Sequence, residues 1–201
     1  MSTIVLFSCA KKEEPSKDTA PQAVEQHNTP DAGNTAADAA APAASNVFAV
    51  GNVVSQSTKT PVDFSWQEAG AEKKFSEISK DKVVFVNVWG TWCPPCRAEI
   101  PDLIQISNDL KEKDFVMIGI AVERDLSNAM ALVSDFSNKS GIPYHVFVDE
   151  QTKLVAEYEK NFGAIEGVPT TYIFDKKGRL SQVIVGKRTK DEFMNSINKL
   201  L

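Results

Sequence analysis

The chain is poor in the residues that most often advertise a function. Of its 201 residues, three are cysteine and two are histidine. A zinc site made of cysteine alone takes four thiolates, and a small secreted domain stapled by disulfides takes an even set spread along the chain. Neither pattern fits Cys9, Cys93 and Cys96. No apolar run approaches the roughly 20 residues of a membrane-spanning helix. Positive charge is in deficit, with 22 Lys and Arg against 27 Asp and Glu, a formal net charge of −5. The basic residues gather into no block, which argues against nucleic acid as a partner and against attraction to an anionic membrane surface. No internal repeat is visible.

What is present divides near residue 50. From Ala10 to Asn52 the chain is rich in Ala, Pro, Asn, Asp, Thr and Lys, with almost no large apolar side chain. Such a segment cannot bury a core and reads as a disordered linker over 10–52. As a coil of about 43 residues it would span roughly 35 to 40 Å. Ahead of it, MSTIVLFSCA carries a short apolar run, Ile4 to Phe7, leading into Ser8 and Cys9. This resembles the end of a bacterial lipoprotein signal, although the run is shorter than the usual apolar region of about 7 to 15 residues. Residues 1–9 are therefore expected to be a truncated or atypical signal ending at a lipidated Cys9. A lone cysteine followed by a long polar linker is how a tethered domain would be built.

From Val53 the chain reads as one folded domain, 53–201. KDKVVFVNVWG has no polar alternation, which predicts a strand covered on both faces. TWCPPCRAEIPDLIQISNDLKEK predicts a helix starting at the cysteines, with Pro94 and Pro95 in the first turn, where backbone amides lack intrahelical partners anyway. Pro101 falls inside that helix and is expected to kink it. DFVMIGIAV is a second buried strand, Leu126 to Lys139 a helix, PYHVFVD a strand and KLVAEYEKN a helix. GVPTTYIFDKKGRLSQVIVGK predicts a hairpin turned at Lys177-Gly178, and KDEFMNSINKLL a closing amphipathic helix. Strand–helix alternation followed by hairpin and helix gives an α/β domain with a mixed central sheet flanked by helices.

The chemistry sits where strand meets helix. Two cysteines two residues apart, the first at a helix N-terminus, can close a small-ring disulfide, and the helix dipole favours a thiolate on the first sulfur. That thiolate attacks a partner's disulfide, and the second cysteine resolves the mixed disulfide. This geometry predicts an exposed, nucleophilic Cys93 and a shielded, resolving Cys96. Half a zinc site is the competing reading of CxxC. It would need two further ligands, and the only histidine of the folded part, His145, lies within an apolar strand. No metal or other cofactor is expected.

The stretch VVFVNVWGTWCPPCRAEIPDL, together with GVPTTYIFDKKGRL, resembles the thioredoxin superfamily. More narrowly it is similar to the TlpA-like group, which includes the ResA and CcmG type proteins of cytochrome c maturation. The resemblance covers about residues 58–201. It implies a thioredoxin-like fold with an N-terminal β extension and a central helix insertion. It also implies an active-site flank of Trp92, Pro94, Pro95 and Val168, and a cis-proline at Pro169 that holds a backbone edge beside the dithiol for a substrate strand. In thioredoxin itself a buried Asp lies six residues before the first cysteine; here that place is Asn87, which cannot titrate. Glu99 instead matches the acidic residue that ResA-like proteins carry near the dithiol, so Cys93, Cys96, Glu99 and Pro169 form the expected catalytic set.

The two prolines between the cysteines add no charge or side-chain donor. That favours a reducing couple and hence a reductase, and the resemblance at Asn87 and Glu99 implies the extracytoplasmic branch of the family. The resemblance implies substrates such as apocytochrome c disulfides and a membrane electron donor that re-reduces the dithiol, while the signal-like start implies attachment to a membrane through the lipid on Cys9. Two rivals stand beside this reading. A thiol peroxidase would use Thr91 and Arg97 next to a peroxidatic Cys93. A tethered copper carrier would use the cysteines as ligands.

Overall fold

The computed structural model describes residues 45–56 and 59–201. Cys9, the expected signal and the expected linker up to residue 44 lie outside the described residues. Among the described residues no helix is long and apolar enough to cross a membrane.

The described residues form eight strands and five α-helices. In order these are β1 (Val47–Ala49), β2 (Ser65–Glu68), β3 (Ala71–Lys74), α1 (Phe75–Ser79), β4 (Val83–Trp89) and α2 (Pro94–Asp109). They continue with β5 (Phe115–Ala121), a 3-10 turn (Leu126–Asn128), α3 (Ala129–Ser140), β6 (His145–Val148) and α4 (Lys153–Phe162). The last three are β7 (Thr170–Phe174), β8 (Leu180–Val185) and α5 (Lys190–Ile197). Six strands form one sheet in the order β1-β6-β5-β4-β7-β8, and β2 and β3 pair separately as an antiparallel hairpin. β1, β6, β5 and β4 run parallel, whereas β7 and β8 are antiparallel to their neighbours. This is the expected mixed sheet flanked by helices. The insertion between β5 and α4 contributes α3 and also a strand, β6.

β4 explains the layering. All seven of its residues are buried, as a central strand packed on both faces must be. Its odd positions, Val83, Phe85 and Trp89, join a core with Leu103 and Ile106 of α2, Val133 of α3 and Phe193 of α5. Its even positions, Val84, Val86 and Val88, join a second core with Phe64, Trp66, Leu154 and Tyr158. The period-2 alternation of a strand therefore serves two cores at once. It also places Asn87, an odd residue, on the face that α2 covers.

Two expectations need correction. The folded part begins before Val53, because β1 lies within the segment read as linker. NVFAV is too short a run to register against its Ala- and Pro-rich surroundings, but it docks as an edge strand. The Val146 amide donates to the Asn46 carbonyl at 2.8 Å, and the Val50 amide to the Val148 carbonyl at 3.0 Å. The Asn46 side-chain amide donates to the carbonyls of both Ile142 and Tyr144. The helix at the cysteines also stops earlier than Lys113, with Leu110 as its C-cap.

Candidate active site

β4 and β5 run side by side, and the Val122 amide donates to the Trp89 carbonyl at 2.8 Å just past their ends. Three residues, Gly90, Thr91 and Trp92, then cross from β4 to α2. The crossing is closed by the Cys93 amide donating to the Gly90 carbonyl at 3.1 Å. Cys93 is the N-cap of α2 in extended conformation, with Pro94 and Pro95 filling the first helical positions. Prolines suit those positions because their fixed φ fits the helix and their missing N–H would have had no helical acceptor.

Cys93 and Cys96 are joined as a disulfide, with S–S 1.99 Å and Cα atoms 5.3 Å apart. The Cys96 amide donates to Cys93 Sγ at 3.2 Å, so the sulfur acts as the helix cap. Pro94 and Pro95 have no amide hydrogen, which leaves Cys96 as the only donor among the first three residues of the helix. Cys93 Sγ also lies 3.5 Å from the Val168 carbonyl oxygen. In the disulfide the sulfur carries no proton and this is a contact; in the dithiol, that oxygen can accept from the thiol.

The expected exposure of Cys93 is not what the structure gives. Cys93 is 2% exposed, hardly more than Cys96 at 1%. A helix-cap position leaves backbone amides free, but it does not clear the space over the side chain. Here the loop at Val168 sits against the sulfur. The Val168–Pro169 peptide bond is cis, and Pro169 precedes β7, whose first residue, Thr170, is buried. Pro94, Pro95 and Trp92 are the exposed members of the flank, Trp92 at 37%. The Trp92 indole N–H donates to the Val122 carbonyl at 2.9 Å, and the Arg124 guanidinium carbon stands 4.0 Å from the ring centroid.

Glu99 lies one turn beyond Cys96 on α2 and is fully buried. Asn87 Nδ2 donates to Glu99 Oε1 at 2.8 Å and also to Thr171 Oγ1 at 3.1 Å. The Arg188 amide donates to Glu99 Oε2 at 3.3 Å. Burial pushes the Glu99 carboxyl up from 4.5 to about 7; the Asn87 and Arg188 hydrogen bonds and the charges of Lys187 and Arg188 pull the other way. Loss of hydration outweighs them because two hydrogen bonds replace only part of a carboxylate's water shell. Asn87 thus does more than leave its place without an acid: it is the side chain that orients Glu99.

Sequence reasoning did not single out Glu123. Glu123 is 9% exposed. Its Oε1 accepts from the Thr91 amide at 2.7 Å and its Oε2 from the Thr91 hydroxyl at 2.8 Å. Only its position, just past the apolar run of β5, could have drawn attention to it. Because the Thr91 hydroxyl proton is committed to Glu123, Thr91 does not offer it to a peroxide at Cys93.

A family model described as Redoxin matches residues 35–201. The chain is 32% identical over 122 residues to the thiol-disulfide oxidoreductase ResA of Bacillus thuringiensis, a match that covers 60% of this chain and 65% of that protein. It therefore spans about two thirds, at 65%, of the length of that relative. Among solved structures, a thiol:disulfide interchange protein of the thioredoxin family from Chlorobium tepidum superposes with a TM-score of 0.62 at 33% identity, over 72% of this chain and 97% of that one. A secreted thiol-disulfide isomerase from Corynebacterium glutamicum does so with a TM-score of 0.56 at 27% identity, over 67% and 78%. With the sheet order, the cysteine pair at the head of α2 and the cis-proline loop already in place, these matches assign the chain to the Redoxin family, a ResA-like member of the thioredoxin superfamily.

Proposed function

We propose that this protein is a thiol–disulfide oxidoreductase that reduces protein disulfides outside the cytoplasm. The observation that carries the reading is the disulfide between the cap of α2 and the residue three positions on, with the Cys96 amide on Cys93 Sγ. The same amide that caps the helix stabilises a thiolate there once the pair is reduced. The Cys93 thiolate attacks one sulfur of a substrate disulfide. A Cys93–substrate bond forms, the substrate's S–S bond breaks, and the released thiolate takes up a proton. Cys96 loses its proton and attacks Cys93 Sγ, closing the ring and releasing the second substrate thiol. Two electrons pass to the substrate, and the pair is left as the disulfide seen in the structure.

Glu99 is the group we assign to the Cys96 proton. It shares a helix face with Cys96, three residues away. A carboxyl titrating at about 7 can take a proton and return it near neutral pH, which is where an acid–base group is most effective. The reducing direction is supported by the two prolines. With one amide on Cys93 Sγ the thiolate gains less than at a cap with three donors, and each 1.4 kcal/mol lost moves the couple about 30 mV toward reduction.

The finer assignments follow the resemblance to the TlpA-like group. Disulfides of apocytochrome c haem-attachment motifs are the proposed substrates, and a membrane electron carrier is the proposed donor that returns the pair to the dithiol. The relative from Corynebacterium glutamicum described as secreted supports an extracytoplasmic site, and lipidation of Cys9 would tether the domain there. The deciding experiment is disulfide exchange by the purified, reduced protein on insulin and on a small model disulfide. In the host, Cys96→Ser should trap the partner on Cys93 for identification. Rapid exchange that Cys93→Ser abolishes supports the reading. No exchange by the wild type, or an equal rate in Cys93→Ser, overturns it.

A further inference from the structure

The three residues that lead from β4 to the dithiol are held almost entirely by the three residues that leave β5. Val122 accepts the Trp92 indole N–H at 2.9 Å, Glu123 accepts both the amide and the hydroxyl of Thr91 at 2.7 and 2.8 Å, and Arg124 stacks on Trp92 at 4.0 Å. Gly90 completes the fit. A Cβ there would come within 2.5 Å of the Trp92 indole nitrogen and 2.8 Å of the Val122 carbonyl oxygen. The crossing has no regular secondary structure of its own to fix it. Its one backbone bond is the turn from the Cys93 amide to Gly90. A carboxylate kept nearly out of water needs strong partners, and among the described residues Glu123 takes its hydrogen bonds from Thr91 alone.

We propose that Glu123 is a positioning residue for the dithiol: by gripping both donors of Thr91 it sets the path of the chain into Cys93, and hence the direction in which Cys93 Sγ can be approached. Nucleophilic sulfur exchange is sensitive to this, because the attacking sulfur must line up with the bond it breaks, and a displacement of about 1 Å can cost up to a hundredfold in rate. Glu123 touches neither sulfur, so its effect runs through Thr91. The inference deepens the oxidoreductase reading, but the placement of Cys93 can be measured without relying on that activity.

The test compares Glu123→Ala, Glu123→Gln and Thr91→Val with the wild type. Gln keeps the clasp without its charge, since its carbonyl can accept the Thr91 amide and its NH2 can donate to the Thr91 hydroxyl oxygen. Two rates are read in the folded, fully reduced protein: alkylation of Cys93 by iodoacetamide, located by peptide mass, and exchange with a small model disulfide. Trp92 accessibility to acrylamide is followed alongside, and urea unfolding establishes that each variant is folded under the assay conditions. Glu123→Ala should change Cys93 alkylation at least threefold and slow exchange about tenfold or more. Glu123→Gln should stay within twofold of wild type, and Thr91→Val should fall between. The double variant Glu123→Ala/Thr91→Val should be no worse than Glu123→Ala alone, because both act through one contact. If Glu123→Ala lowers the unfolding midpoint but leaves both rates at wild-type values, Glu123 is only a structural residue and the proposal is wrong. If Glu123→Gln is as impaired as Glu123→Ala, charge rather than position is responsible, and the proposal is again wrong. A wild type that fails to exchange, with alkylation still sensitive to Glu123→Ala, would overturn the oxidoreductase reading and leave the positioning role standing.

Discussion

Replacing Glu99 by Gln should remove a pH dependence of stability that the wild type carries between about pH 4.5 and 7. The carboxyl ionises at 4.5 in the open chain and at about 7 when buried in the fold. A group whose pKa is raised by folding contributes full stability below its unfolded value, and that contribution disappears as pH rises through its folded value. Over this interval the unfolded chain has already released the proton that the folded protein still holds. At about 1.4 kcal/mol per pH unit, the ceiling on the loss is about 3 kcal/mol, a sizeable share of a typical domain's stability of about 5 to 15 kcal/mol. Gln mimics the neutral acid: its carbonyl can accept from Asn87, and it cannot ionise. The assay is urea unfolding of the oxidised protein at half-unit intervals from pH 4 to 9, with wild type and variant measured side by side so that other titrating groups cancel. The two should agree near pH 4.5 within the cost of the substitution. They should then diverge as pH rises, with the variant the more stable, and run parallel above pH 7. Parallel curves across the whole range would show that Glu99 ionises normally, and they would remove it as the proton acceptor for Cys96.

Asn87→Ala deletes the hydrogen bond that favours the charged form of Glu99, so its carboxyl should titrate above 7, read by the pH at which Cys96 alkylation in the reduced protein changes slope; a downward move would contradict the assignment. Arg124→Ala removes the cation over Trp92 and should cost about 0.5 to 1 kcal/mol in urea unfolding while making the indole fluorescence easier to quench. Asn46→Ala leaves two carbonyls of the α3–β6 connection without their side-chain donor and should cost about 1 to 3 kcal/mol, detected as a shift in urea midpoint at unchanged slope. Cys9→Ser, in the full-length protein expressed in its host, should move the protein from the membrane fraction to the soluble one; an unmodified Cys9 by mass spectrometry on membrane-bound protein would exclude the lipid tether.

The parts of the fold that follow from local pattern were legible beforehand. β4 and β5 announce themselves as unbroken β-branched runs, and the Pro-Pro pair after Cys93 marks the first turn of α2. The hairpin of β7 and β8 turns where Lys177-Gly178 required it, with Gly178 at φ 72°. What escaped notice depends on distant partners. β1 is three residues long and owes its strand character to β6, almost a hundred residues away. The exposure of Cys93 could not be judged from its helix-cap position, because what lies on its sulfur is the carbonyl of Val168, 75 residues later. Asn87 reads in the sequence as an acid replaced. Only the pairing of β4 with β7, which sets Asn87 opposite Thr171, and the packing of α2 on that face reveal it as the donor that orients Glu99. Glu123 looked like one more charged residue after a strand, since nothing in a linear string signals that Thr91 would be waiting for it.

The close packing at Gly90 makes one position a reporter on another. The smallest possible side chain added there would meet both the Trp92 indole and the Val122 carbonyl, so a methyl group and this indole placement exclude each other. Any relative that carries alanine at the residue two before its tryptophan must park that ring elsewhere, free of the strand-exit carbonyl and out from under a cation at the Arg124 position. Its ring would swing on the nanosecond scale of exposed side chains, whereas Trp92 should show the slower, single-population fluorescence anisotropy decay of a clamped one. A glycine at this place is thus a statement about the neighbouring indole's freedom, and a Gly90→Ala variant of this protein would convert one kind of active-site rim into the other without touching either cysteine.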